Sequence, residues 1–316
     1  MVLKLYEHTQ DAQWLSEVLP TVITYYRYWL TDEHLHSESQ LSRYYDFSDQ
    51  PAPEVVADEK DSQGRSHFER VKIFYKNNQI DDYDVSLYYD ADKDCLTDLF
   101  YQGDRTMRES GFDPTNRFGP LSVDIIHYLP VCLNALLYQM EQDIVTIYQH
   151  LQTAFQTDHS REIKHWQALA SSRQSSINRY LWDEENGLYF DYHLNCQQRR
   201  PYEFATTFYP LWVGAASARQ AQRIVENLDK FSAPGGIRTS TTVTGNQWDD
   251  PFGWAPLQLI AIEGLWRYGY QQEATKLAQQ FISLVVEDFE RCGAVVEKYD
   301  LEQRSSNVSE GIQYGY

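Results

Sequence analysis

One stretch of the sequence reads Leu211-Trp212-Val213-Gly214, then a turn, then Gln220-Ala221-Gln222-Arg223-Ile224. A similar stretch follows later: Leu265-Trp266-Arg267-Tyr268-Gly269, then a turn, then Glu273-Ala274-Thr275-Lys276-Leu277. Each unit predicts a helical hairpin, because a glycine at the end of the first helix tolerates the left-handed cap conformation. The two units lie 53 positions apart, counted between their shared alanines. Hairpins that recur at about 50 residues indicate a helical array, open or closed. We expect the closed form, an all-α toroid, because its connections converge at one mouth.

Apolar residues at the helical period predict further helices upstream of this repeat. The predicted helices span about 11–30, 124–155, 163–182 and 257–268, with Pro130 kinking or restarting the second. Asn186-Gly187 predicts a tight β-hairpin-like turn. Residues 37–104 are polar and acidic and predict a long loop with short helical pieces, and such loops are usually functional. We expect a single domain over residues 1–316.

Composition narrows the class of partner. The chain has 27 Lys and Arg against 46 Asp and Glu, a net charge of −19, so no nucleic-acid binding is expected. It has no run of roughly 18 apolar residues, so no membrane span is expected. The N-terminus lacks a signal-peptide pattern, and the four cysteines are widely spaced, which together predict a cytoplasmic protein with reduced thiols. Tyrosine and tryptophan number 24 and 8. Such side chains favour sugar sites, because their rings stack on C–H faces.

One aromatic motif predicts a pocket. It reads Gln247-Trp248-Asp249-Asp250-Pro251-Phe252-Gly253-Trp254-Ala255-Pro256, directly before the helix predicted at 257–268. Two indoles, a carboxylate and an amide this close together are typical of a sugar-binding surface. We expect Asp249 to bind two adjacent hydroxyls and Trp248 or Trp254 to stack on a sugar ring.

A second motif, Arg108-Glu109-Ser110-Gly111-Phe112-Asp113, offers an acid. A carboxyl group beside glycine and phenylalanine can be partly desolvated, which raises its pKa toward the value that a general acid needs. The alternative is that Asp113 caps a helix or pairs with Arg117. In a third segment, Val295-Val296-Glu297-Lys298-Tyr299-Asp300, we interpret Glu297 and Lys298 as an ordinary surface ion pair. A polar tail that contains Glu310 follows this segment. Two carboxylates on separate connections are what glycoside hydrolysis requires.

Taken in order, these segments resemble the trehalase family. The run from Gln247 to Pro256 matches the pattern Gln-Trp-Asp-x-Pro-x-Gly-x-x-Pro at every fixed position, and the Arg108–Asp113 motif resembles Arg-Glu-Ser-Gly-x-Asp of neutral trehalases. Glu203-Phe204-Ala205-Thr206-Thr207-Phe208 and Val296-Glu297-Lys298-Tyr299-Asp300 match further family segments. The resemblance covers the chain from about Trp14 onward. It implies an (α/α)6 toroid and an inverting hydrolysis of α,α-trehalose to two glucose molecules, with neither cofactor nor metal.

The resemblance also implies roles for individual residues. Asp113 resembles the general acid and Glu310 the general base. The substrate-contacting and pocket-lining positions are Glu54, Arg108, Gly111, Gln247, Trp248, Asp249 and Trp254. Inversion then places the two carboxyl groups roughly 6.5–9.5 Å apart, with a water between them.

The sequence departs from the family pattern in three places. It lacks the family's N-terminal Pro-Gly-Gly-Arg-Phe stretch and its C-terminal Gly-Phe-Gly-Trp segment, and it has Cys132-Leu133-Asn134 where Asp-Leu-Asn is common. We therefore expect an incomplete toroid. Two other functions stay open: a glucosidase for another α-linked disaccharide, which the Gln247–Pro256 motif opposes, and a non-catalytic remnant that binds sugar or partners. The missing ends favour the remnant, whereas Asp113 and Glu310 oppose it.

Overall fold

The computed structural model of the protein describes residues 1–56 and 60–307. Helices dominate it. The α-helices are α1 (Val2–Thr9), α2 (Ala12–Tyr28), α3 (Pro53–Val56), α4 (His67–Asn77), α5 (Asp98–Ser110), α6 (Val131–Phe155), α7 (Ser160–Ser176), α8 (Tyr209–Trp212), α9 (Ala218–Glu226), α10 (Leu228–Phe231), α11 (Ala255–Arg267) and α12 (Gln271–Cys292). In the described part of the chain, no helix combines the length and the apolar character needed to cross a membrane.

Short strands join the helices in antiparallel pairs. They are β1 (Leu35–His36), β2 (Leu41–Ser42), β3 (Tyr89–Asp90), β4 (Cys95–Leu96), β5 (Tyr128–Leu129), β6 (Trp182–Asp183), β7 (Leu188–Tyr189), β8 (Tyr192–His193), β9 (Gln198–Arg199), β10 (Ser232–Ala233), β11 (Gly236–Ile237), β12 (Phe252–Trp254) and β13 (Lys298–Asp300). The pairs are β1–β2, β3–β4, β6–β7, β10–β11 and β12–β13, and β8 lies between β5 and β9. The predicted turn at Asn186-Gly187 connects β6 to β7, with Gly187 at φ 69°.

The predicted helices are present, with two corrected boundaries. Helix α6 begins at Val131 and not at residue 124, because Pro130 is its N-cap in extended conformation (φ −82°, ψ 144°). The preceding residues form a 3-10 segment, Pro120–His127, and β5. Helix α7 ends at Ser176, where the chain continues as a one-turn π-helix, Ile177–Leu181. Of the two predicted effects of Pro130, a kink or a new helix start, the structure shows the new helix start.

The repeat corresponds to two consecutive helix pairs, α8–α9 and α11–α12, and α11 packs on α12. Gly214 and Gly269, at φ 74° and 85°, give the left-handed turns that the repeat predicted. Helix α11 packs on both α8 and α12, and α6 packs on α2, α7 and α8. At Gly264 a Cβ atom would lie 3.0 Å from the Trp212 backbone nitrogen, so glycine allows α8 to approach α11. The predicted all-α architecture of packed hairpins is confirmed.

Helix α12 carries an exposed apolar face. Ile282, Val286 and Phe289 are 61%, 49% and 50% exposed, and their spacing places them on one side of the helix. The last described helix therefore has apolar surface left uncovered. This agrees with the prediction of an incomplete toroid.

Residues 67–101 are more ordered than the predicted long loop. Helix α4, which starts with a Ser66–Glu69 capping box, packs with the β3–β4 hairpin and the start of α5. Together they bury a small separate core: Val71, Tyr75, Tyr88, Tyr89, Leu96, Phe100 and Val123. Aromatic residues supply most of this core, and their large buried area stabilises a module of few residues.

Candidate active site

Asp113 lies on the connection that follows α5. Gly111 ends the helix at φ 75°, a conformation that costs other residues energy, and its N–H donates to the Arg108 carbonyl. Phe112 is buried, whereas Asp113 is partly exposed. The alternative in which Asp113 caps a helix or pairs with Arg117 is wrong. Arg117 pairs with Asp191, and Gly119 precedes the next helical segment.

The surroundings of Asp113 favour its protonated form. Burial raises the pKa of the Asp113 carboxyl, and the negative charges of Asp104 and Glu297 act in the same direction. Its own backbone N–H and the Arg108 guanidinium lower the pKa but do not outweigh burial. A raised pKa is the direction of shift that a carboxyl group needs to act as a general acid.

Arg108, on α5 five residues before Asp113, borders a cavity. Its guanidinium forms a two-point ion pair with Asp104, with both N···O distances 3.1 Å. The cavity has a volume of about 320 Å³, and its lining residues are Asp46, Ala52, Pro53, Arg105, Arg108 and Glu109. The turn that precedes Glu54 therefore borders the same cavity as Arg108, but the Glu54 side chain lies outside the described part of the structure.

Gln247 joins the aromatic motif to the acid connection. Its Nε2 donates to the backbone carbonyl of Asp113, 134 positions away in the sequence. Its Oε1 accepts a hydrogen bond from Lys298 Nζ at 2.6 Å, and its backbone carbonyl accepts one from Trp254 Nε1 at 2.9 Å. The structure thus brings together the two motifs that the sequence analysis selected separately.

The two indoles of the motif stack on each other. The ring centroids of Trp248 and Trp254 are 3.8 Å apart and their planes differ by 5°. Phe112 meets Trp248 edge-on at 4.9 Å. Trp254 is 6% exposed, whereas Trp248 is partly exposed. Of the two predicted stacking partners for a sugar, Trp248 is therefore the one that a ligand can reach.

Asp249 is a scaffold residue in this structure. Its side chain is 0% exposed. One oxygen accepts hydrogen bonds from the hydroxyls of Thr115 and Tyr202, and the other accepts from Thr244 Oγ1 and the Asn116 N–H, at 2.6–2.9 Å. The predicted bonds to two sugar hydroxyls would have to displace bonds of this set. The carboxylate instead ties the aromatic motif to the segment after Asp113.

A buried ion pair supports the same segment. Arg117 is fully buried and donates from Nε and Nη2 to the two carboxylate oxygens of Asp191, both at 2.6 Å. Its Nη1 and Nη2 also lie 3.5 and 3.6 Å from Cys132 Sγ. Asp191 accepts a further bond from the Val131 N–H at 2.9 Å. The cysteine that replaces the aspartate of the family pattern is thus part of this cluster.

Asp124, His127 and His193 form a cluster with metal-ligating atoms within 4.8 Å of one another. Two backbone N–H groups of the following turn donate to His193 Nδ1 at 3.2 Å, so the ring proton lies on Nε2 and is donated to Asp124 at 3.1 Å. Burial opposes ionisation of Asp124, but hydrogen bonds from His127, His193 and Tyr88 lower its pKa to about 2. The Tyr88 hydroxyl of the 67–101 module also donates to Asp124 at 2.6 Å, so the cluster links that module to the segment 120–127 and to β8.

The side chains of two predicted site residues, Glu54 and Glu310, lie outside the described part of the structure, and one functional candidate, Lys298, was missed. Glu310 lies outside the described residues, so its distance from Asp113 stays a prediction. The sequence predicts a surface pair at Glu297 and Lys298, yet Lys298 is partly buried and hydrogen-bonded to Gln247. The signal that identifies it is non-local: strand β13 pairs with β12, which places Lys298 opposite Trp254.

The fold defines an α/α-toroid protein, and one of its connections carries the partly exposed carboxyl group of Asp113. The trehalase family model matches residues 1–316, so the chain belongs to the trehalase family. It is 35% identical over 306 residues to a cytosolic neutral trehalase of Kluyveromyces lactis, covering 92% of this chain and 39% of that protein. It is 31% identical over 346 residues to a cytosolic neutral trehalase of Emericella nidulans, covering 100% of this chain and 45% of that protein.

Solved structures agree with this family. A neutral trehalase of Saccharomyces cerevisiae matches with a TM-score of 0.76 and 30% identity, over 100% of this chain and 58% of that chain. A mannosylglycerate hydrolase of Thermus thermophilus matches with a TM-score of 0.63 at 18% identity, over 99% of this chain and 71% of that chain, which shows a shared fold. The chain spans less than half the length of the curated relatives compared above.

Proposed function

We propose that the protein hydrolyses α,α-trehalose to two glucose molecules by an inverting acid/base mechanism. The observation that supports this proposal best is the environment of Asp113. Its carboxyl has a raised pKa, and the aromatic motif is hydrogen-bonded to the same residue's backbone. Neutral Asp113 donates its proton to the bridging oxygen while the anomeric carbon gains positive charge. Glu310, ionised, takes a proton from the water that attacks the opposite face.

The other site residues hold the sugar. Trp248 offers an indole face, and Arg108 and Glu54 contribute polar contacts from the neighbouring cavity. Gly111 shapes the turn that presents Asp113, and Trp254 backs Trp248 by stacking. We further propose that residues 1–316 form one partial catalytic domain, cytoplasmic like the relatives named cytosolic, with trehalose as its partner and no nucleic acid or cofactor.

The test is the product pattern from purified protein. With trehalose as substrate, proton NMR should detect one β-glucose and one α-glucose at early times, because inversion changes the configuration of one anomeric carbon only. Maltose should be a much poorer substrate. Equal rates on the two disaccharides would favour the broader glucosidase. A chain that is folded by circular dichroism and releases no glucose would favour the non-catalytic remnant.

Replacing Trp248 with alanine should raise KM for trehalose about tenfold, with a smaller change in kcat. An aromatic face contributes about 0.5–1.5 kcal/mol beyond its buried area, and 1.4 kcal/mol corresponds to a factor of ten in affinity. Steady-state kinetics checks this. The matched control is Trp266→Ala, an indole that is 54% exposed at the far end of α11, about 18 Å along the helix. Equal effects of the two variants would contradict a stacking role for Trp248.

A further inference from the structure

We propose that Lys298 is a positioning residue that holds the acid-bearing connection in place through Gln247. Lys298 does not touch the Asp113 carboxyl through any hydrogen bond in the described structure. It acts through the amide of Gln247, which lies between the ammonium group and the Asp113 backbone. The inference rests on the proposed function, because it concerns the same site.

The strand pairing gives Lys298 its place. Strands β12 and β13 are antiparallel, with Trp254 directly opposite Lys298 and Gly253 opposite Tyr299. Side chains directly opposite each other lie on the same face of the pair and within contact distance. Lys298 Nζ is 5.5 Å from the Trp254 ring centroid, a cation–π distance. The indole therefore supports the lysine on one side, while Gln247 Oε1 accepts a hydrogen bond from its ammonium group.

The ammonium group and the Asp113 carbonyl together fix the orientation of the Gln247 amide. A lysine ammonium can only donate, so the amide oxygen must face Lys298 and the amide nitrogen must face the Asp113 carbonyl. Without the ammonium group, the amide keeps its bond to the Asp113 carbonyl but loses its second anchor, so the connection is held less firmly. A bond from a charged donor is roughly twice as strong as a neutral one, so Lys298 fixes this orientation firmly.

Charge provides a second link. Burial lowers the pKa of Lys298, while the negative charges of Glu297 and Asp113 raise it. Charge coupling is mutual, so the ammonium group acts on Asp113 in favour of its ionised form, though more weakly than Arg108, Asp104 and Glu297 act on it. The other groups that act on Asp113 are Arg108, Asp104 and Glu297. Removing the Lys298 charge leaves those unchanged and shifts the ionisation of Asp113 to higher pH.

The experiment compares Lys298→Met, which keeps the aliphatic stem, with Lys298→Arg, which keeps the charge and donors. For Lys298→Met we expect kcat to fall about 10- to 100-fold through misplacement of the acid, with KM little changed. The basic limb of the kcat profile should move to higher pH, and Lys298→Arg should restore part of kcat. Lys276→Met, an exposed lysine of α12, is the control. Lost stability with an unmoved pH limb would show a merely structural role and overturn the proposal.

A second measurement does not depend on turnover. Aspartate labelled with carbon-13 at the carboxyl gives an NMR titration, in which the Asp113 signal is identified by its absence from Asp113→Asn. The Asp113 midpoint should move to higher pH in Lys298→Met, and in Lys298→Gln if the first variant does not fold. An unchanged midpoint overturns the proposal. A shifted midpoint in a chain that releases no glucose supports the coupling and rejects the proposed hydrolysis.

Discussion

Asp113→Asn is expected to lower kcat for trehalose hydrolysis by about 10²- to 10⁴-fold, the usual contribution of a positioned general acid. Asparagine has nearly the same shape but carries no acidic proton for the bridging oxygen. The bond from Gln247 goes to the backbone carbonyl of Asp113, so it survives the substitution. Glucose release under saturating trehalose measures the loss.

Stability distinguishes this chemical effect from unfolding. The raised pKa of Asp113 means that the folded chain binds this proton more strongly than the unfolded chain does. The group's stabilising contribution is therefore full at low pH and is lost as the pH rises through the folded-state pKa. Asp113→Asn should thus be at least as stable as the parent near neutral pH. Asp143→Asn on α6, another carboxyl whose pKa burial raises, is the control and should keep full activity. Equal turnover by Asp113→Asn and the parent would remove Asp113 as the acid.

Arg117→Met is expected to lower the free energy of unfolding by about 3–5 kcal/mol, because it leaves the Asp191 carboxylate buried without its partner. Arg117 is 0% exposed, and its guanidinium lies 4.8–5.4 Å from the rings of Phe112, Phe118 and Phe204. Few waters can replace the lost donors in such apolar surroundings, so the charge stays uncompensated.

Urea unfolding of single and double variants tests the pair. Asp191→Leu should also be strongly destabilising, since it leaves the Arg117 guanidinium buried without its carboxylate partner. The double variant Arg117→Met/Asp191→Leu should cost much less than the two single losses added together, because it removes both charges. Strictly additive losses would show that the two side chains do not depend on each other.

The helical arms of the fold were predictable because their signals are local. The apolar period and the glycines at 214 and 269 each specify a nearby backbone conformation, and the structure has both. The 67–101 module was not predictable in the same way. Its core forms between α4, the β3–β4 hairpin and α5, and no single one of these shows an apolar face long enough to indicate it.

The residues of the candidate site were likewise predictable only where their signals are local. Motif chemistry selected Asp113 and Gln247, which the structure places in hydrogen-bond contact. Composition did not reveal that Asp249 would be enclosed, because its donors Thr115 and Tyr202 lie 134 and 47 positions away. Lys298 was missed for a related reason, because the position of its side chain depends on the pairing of the three-residue strand β13 with β12.

The place of Cys132 in the Arg117 cluster has a practical consequence. Cys95, Cys196 and Cys292 are exposed, whereas Cys132 is buried against the guanidinium. Thiol reagents should therefore modify three cysteines promptly and the fourth only when the interior transiently opens. The labelling rate of Cys132 therefore reports how often the interior beside the connection that carries Asp113 opens. Mass spectrometry can measure this rate without any probe residue being introduced into the sequence.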